Sequence, residues 1–139
     1  MGDFLVMGIG AIDECLPALG DDSLVTDVYQ RIVGGRWPDV RCSETNGRGF
    51  DHIRGALALR LNEVDEAEDW YRTGLEWAER EWCPVEQGRN LQGLAEVAER
   101  RDNHQEAVQL LDRAAALFQE HGAQLYLGQV LAKKEILGA

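Results

Sequence analysis

Asn62-Glu-Val-Asp-Glu-Ala-Glu-Asp-Trp-Tyr71 and Asp102-Asn-His-Gln-Glu-Ala-Val-Gln-Leu-Leu111 superimpose at an offset of 40 residues. Each follows a helix-forming run, Gly55-Ala-Leu-Ala-Leu-Arg-Leu61 or Ala95-Glu-Val-Ala-Glu-Arg-Arg101, and each leads into a long amphipathic stretch; further on, Gly88 matches Gly128. A weaker copy lies upstream, Gly20-Asp-Asp-Ser-Leu-Val-Thr-Asp-Val-Tyr29, with Val25 in place of Ala67 at an offset of 42. Gly20, Asn62 and Asp102 fall just after one helix and before the next, where a tight turn calls for a left-handed backbone that Gly, Asn and Asp tolerate. Asn103 is placed to cap the helix that follows, with Glu106 completing a capping-box-like pair. Ala67 and Ala107 mark where neighbouring helices cross closely, and Gly55 with Ala95 and Gly74 with Ala114 are further small pairs in register.

The apolar period extends this reading along the chain. Val64, Ala67, Tyr71, Gly74, Leu75 and Ala78 recur at three- and four-residue steps, as do Ala107, Leu110, Leu111, Ala114, Leu117 and Phe118. No segment alternates with period two between hairpin turns, so a sheet has no support. The expected architecture is all-α, with about seven helices at 4–19, 23–33, 48–61, 64–82, 85–101, 104–121 and 123–137. Pro17 ends or kinks the first, Pro84 suits a first helical turn, and Gly122 suits a C-terminal stop. Residues 34–47 form the one long irregular connection, the natural place for a functional loop. The chain reads as one domain over 1–139: a weak repeat at 4–33, the loop, clearer repeats at 48–82 and 85–121, and a terminal helix.

Composition limits the partners. The 139 residues are 45% hydrophobic and 28% charged with three prolines, a balance that suits a folded domain. Net charge is −11, and residues 1–88 hold 18 acids against 8 bases. Such a field disfavours nucleic acid and anionic membranes, and attracts a basic protein segment. The apolar run Phe4–Ile12 is too short to span a bilayer and follows Asp3 with no Lys or Arg before it, a poor secretory signal. Cys15, Cys42 and Cys83 are widely spaced, matching neither a disulfide framework nor a zinc pattern, and fit a cytoplasmic protein.

No chemistry is expected. His52, His104 and His121 lack helical partners at ligand spacing, and nothing orients Cys42 and His52 as a nucleophile pair. The eight acids between Glu63 and Glu81 read as a solvated helix face rather than a paired-carboxylate site. Neither GxxxxGK[ST] nor GxGxxG occurs, so no nucleotide, other cofactor or metal is called for. Trp70, Trp77 and Trp82 cluster on one helix and its end; they either pack on the neighbouring repeat or present an aromatic patch to a partner.

Gly55-Ala-Leu-Ala…Asn62…Glu66-Ala67…Tyr71…Gly74 resembles one tetratricopeptide repeat, and Leu94-Ala95…Ala98…Asp102…Glu106-Ala107…Leu111…Ala114 resembles a second and closer one. The match covers about residues 48–137 well and 4–33 weakly. A period of 40 exceeds the usual value of about 34 and is similar to the long-helix variety found in C-terminal regions of bacterial signalling ATPases, cyclases and transcriptional activators. Asp51 and Asn62 depart from the family's commoner aromatic and Gly. The resemblance implies a right-handed α-solenoid of antiparallel helix pairs, a cytoplasmic scaffold or regulatory domain of a larger regulator. Its partner would be a protein or peptide held along a concave groove lined by the first helix of each pair. Carried over, groove residues are Asp51, Arg54 and Ala58 on one helix and Arg89, Leu91, Gln92 and Glu99 on the next, with Arg54 and Arg89 placed to meet a ligand carboxylate. The alternative is a sensor that binds a small effector in that groove. Apolar terminal helices, Phe4–Ile12 and Leu125–Leu137, would meet other domains or each other in a homodimer.

Overall fold

The computed structural model describes residues 21–33 and 51–139, and all its secondary structure there is helical. Six helices follow in order among the described residues: α1 (Asp22–Val33), α2 (Asp51–Arg60), α3 (Val64–Arg80), α4 (Pro84–Arg100), α5 (His104–Glu120) and α6 (Gln124–Leu137). The expected helix at 4–19, the loop at 34–47 and Cys42 lie outside the described residues.

From α2 onward, consecutive helices are linked by three residues. Each link ends its helix in the same way. Asn62, Trp82, Asp102 and Gly122 have φ values of 63°, 56°, 57° and 70°. One residue further, the N–H of Glu63, Cys83, Asn103 and Ala123 donates to the carbonyl of Ala58, Ala78, Ala98 and Phe118, at 2.8–2.9 Å. This left-handed stop satisfies carbonyls that the helix end leaves open. Two helices of 17 residues and two such links make up the 40-residue period. Trp82 is the exception in kind: a bulky side chain in a conformation that favours glycine. Asn103 caps α5, its Oδ1 accepting from the Glu106 N–H at 3.3 Å while its Nδ2 donates to the Glu106 carboxylate at 2.6 Å.

With links this short, each helix packs on the one before it, and α2 also touches α4. Two apolar clusters result. Val25, Tyr29, Ile53, Leu57, Ala58, Ala67, Tyr71, Leu94 and Val97 form one; Leu91, Ala95, Ala98, Ala107, Leu111, Ala114, Phe118 and Val130 form the other. Because α4 lies between them, it is buried on two sides. Ala67, Ala107 and Ala114 are fully buried, and the small residues in register with them admit large neighbours. A Cβ on Gly55 would stand 2.6 Å from the Tyr71 ring, and one on Gly93 would collide with the same ring at 2.1 Å. Gly88 is covered by Phe118 and Gly74 by Asn90. Burial pushes the Tyr71 hydroxyl well above the usual tyrosine range.

The three tryptophans divide. Trp77 is buried; Trp70 is half-buried, donating from Nε1 to the Tyr29 hydroxyl at 3.2 Å; Trp82 is 87% exposed. Tyr29 in turn donates to the Glu66 carboxylate. Charge pairs cross the seams between elements: Arg101 bridges Asp65 and Glu68, Lys134 meets Asp112, and Lys133 meets Glu96 and Glu99.

Candidate partner-binding cleft

A cleft of about 300 Å³ opens between α2, α4 and α6. α2 contributes His52 and Ala56, α4 contributes Arg89, Gln92, Gly93 and Glu96, and α6 contributes Gln129 and Lys133. Tyr71 from α3 and Leu111 from α5 complete the lining. These positions are related by the repeat itself: under a 40-residue shift, His52 becomes Gln92, Ala56 becomes Glu96, Arg89 becomes Gln129 and Gly93 becomes Lys133. α4 lines the wall with two adjoining strips, 92 and 96 repeated on α2 and 89 and 93 repeated on α6.

The polar groups of the wall are held in place. His52 is buried with Nδ1 2.8 Å from the Glu86 carboxylate, a contact that fixes the ring orientation. The Arg89 guanidinium lies over the Tyr126 ring at 4.6 Å, a cation–π arrangement, and its burial lowers its pKa from the ordinary arginine value. Lys133 Nζ sits 2.7 Å from Glu99 and 3.1 Å from Glu96. Burial alone would lower the Lys133 pKa, but hydrogen bonds to the two carboxylates outweigh it and the pKa is raised. Gln92 and Gln129 add amides that both donate and accept, the chemistry that suits a peptide backbone. Among the described residues, no group of three His, Cys, Asp or Glu side chains is arranged to hold a metal ion.

Of the residues expected to line a groove, Arg89 and Gln92 do so. Glu99 lies beside the cleft and anchors Lys133. Arg54 pairs with Asp51 at 2.7 Å and lies over the Trp70 ring at 5.2 Å, away from the lining. Asp51, Ala58 and Leu91 are 3%, 0% and 1% exposed, so they are seam residues rather than ligand-facing ones. The reason is helical phase. Residues 51, 55 and 58, like 91, 95 and 98, run along the side that meets the following helix; the cleft side runs through 52 and 56, and through 89, 92, 93 and 96. A step of one residue turns a side chain by about 100°, enough to move it from cleft to core.

His52, Glu96, Gln129 and Lys133 were not among the expected groove residues. For two of them the signal is the repeat offset: applied to Arg89 it gives Gln129, and applied backward to Gln92 it gives His52, while Glu96 and Lys133 lie one helical turn further along the same strips. Comparison with protein-family models, curated proteins and solved structures returns no match. No helix among the described residues is long and apolar enough to cross a membrane.

Proposed function

We propose that the helix pairs continue the long-repeat tetratricopeptide plan, a right-handed solenoid, and that the domain binds a peptide or protein segment along the α2–α4–α6 cleft. The observation that carries this reading is the register of the wall: each lining residue of α2, α4 and α6 has a counterpart, 40 residues away, that lines the same opening. A wall of amides, a stacked arginine and a tethered lysine suits backbone carbonyls and a side-chain carboxylate at one point, while the net charge of −11 draws a basic segment from afar. In this reading the domain is a cytoplasmic regulatory scaffold within a larger regulator and performs no chemistry of its own.

The test is selection of binding peptides from a displayed random library against the wild-type chain. Affinity for the selected peptides should fall roughly tenfold, about 1.4 kcal/mol, when Gln92 and Gln129 are both changed to Ala. Peptides that bind the double variant equally well contradict the assignment. The cleft volume also lies at the small end of the range for small-molecule sites, about 300–1,000 Å³, which supports the sensor reading. A saturable rise in melting temperature with a single metabolite, and none with peptides, selects it.

A further inference from the structure

α4 is covered on both sides, and the residues of its second side recur on α6 with nothing over them among the described residues. Gly88 lies beneath the Phe118 ring and Leu91 is 1% exposed. Forty positions on, a Cβ at Gly128 would have nothing within 4 Å, and Leu131 is 48% exposed. Leu125, at 64% exposure, extends the same side of the helix, opposite the buried Val130. The correspondence breaks once: Glu135 stands where Gly55 and Ala95 pack against the following helix in the earlier copies.

We propose that this outward side of α6 docks a basic amphipathic helix, with an aromatic side chain seated over Gly128 and a Lys or Arg beside Glu135. Two observations choose the occupant. The first is continuity with the α4–α5 seam, whose glycine and leucine α6 repeats in register while lacking the helix that covers them. The second is charge. A second copy of this chain would bring another Glu135 to the same contact, whereas a Lys or Arg on an incoming helix answers Glu135. This surface is distinct from the cleft, which uses the Gln129 and Lys133 side of the same helix.

The probe is a fluorescent peptide of residues 104–121 carrying Glu106→Lys, Asp112→Lys and Glu120→Lys. It keeps Ala107, Leu111, Ala114 and Phe118, the α5 side that packs in the core, and turns the outward acids basic. Titrated with the full-length chain, its anisotropy should rise saturably and the affinity should weaken as salt is raised. Leu131→Asp in the chain, or Phe118→Ala in the peptide, should cost roughly tenfold or more in affinity. Gln92→Ala in the chain should cost nothing, which separates this site from the cleft. If Leu131→Asp lowers the melting temperature, Leu125→Asp, at a more exposed position, replaces it. Absence of saturable binding, or equal binding by the Asp variants, overturns the proposal. So does concentration-dependent dimerisation of the chain that Leu131→Asp abolishes, because it gives the surface to a second copy.

Discussion

The same substitution at two glycines in register-related helices should have opposite effects. In Gly93→Ala the new methyl lands on the Tyr71 ring. Tyr71 is 4% exposed and its ring also lies against Gly55, where a Cβ would stand only 2.6 Å away, so it has little room to move. Overpacking of this kind costs about 1–3 kcal/mol, while replacing glycine by alanine within a helix returns about 1 kcal/mol. The 2.1 Å contact places the clash at the upper end of that range, so the expected net effect is a loss of about 2 kcal/mol. In Gly128→Ala the methyl enters open space and φ is not left-handed, so only the helix-propensity gain of about 0.5–1 kcal/mol remains. Urea denaturation followed by circular dichroism measures both, with melting temperatures moving by several degrees in opposite directions, roughly 2–5 °C per kcal/mol. A Gly93→Ala protein as stable as wild type would refute the claim that a glycine-clamped tyrosine joins α2, α3 and α4.

Other substitutions test the links and the surface network. Trp82→Asn should raise stability by about 1 kcal/mol, because it relieves a left-handed bulky residue whose side chain is 87% exposed and packs little; a chemical melt that moves the other way would show that the indole has a structural role. Asn103→Ala should lower stability by about 1 kcal/mol through loss of the α5 cap, measured in the same melt. Tyr29 has its pKa raised from 10.0 to about 12, chiefly by burial and then by its hydrogen bond to Glu66. The protonated phenol is the form the fold favours, so this contribution is complete below the unfolded pKa near 10 and is lost as pH rises toward 12. Absorbance titration should show two phenols ionising late in wild type, Tyr29 and Tyr71, and one fewer in Tyr29→Phe, while Glu66→Gln should bring Tyr29 earlier.

How much was legible in the sequence follows from what each residue type can report. Asn62, Asp102 and Gly122 belong to the few residues that accept a left-handed backbone, and they marked their links. Trp82 does not, and its link at 81–83 carries the same hydrogen bonds without a compositional sign. Ala67 and Ala107 showed the close packing because small residues recurred among large ones. The cleft was harder. A helix exposed on one side has a single apolar stripe whose opposite face is the surface, but α4 buries eight residues toward two neighbours, leaving only a narrow strip at Arg89, Gln92 and Glu96. Leu91 shares a turn with that strip, and Ala58 shares one with Ala56 on α2, yet both point into the seams. His52 was weighed as an isolated histidine because its partner Glu86 is 34 residues away, a pairing that only the packing of α2 on α4 creates.

The most direct test is a nitrogen-15 NMR titration of the full-length chain with a peptide selected from the random library. The largest shifts should fall on the side-chain amides of Gln92 and Gln129 and on the backbone of Gly93, three positions on two helices facing one opening. Shifts confined to the acidic outer face of α3, around Asp69 and Glu76, with Gln92 and Gln129 unmoved, would contradict this.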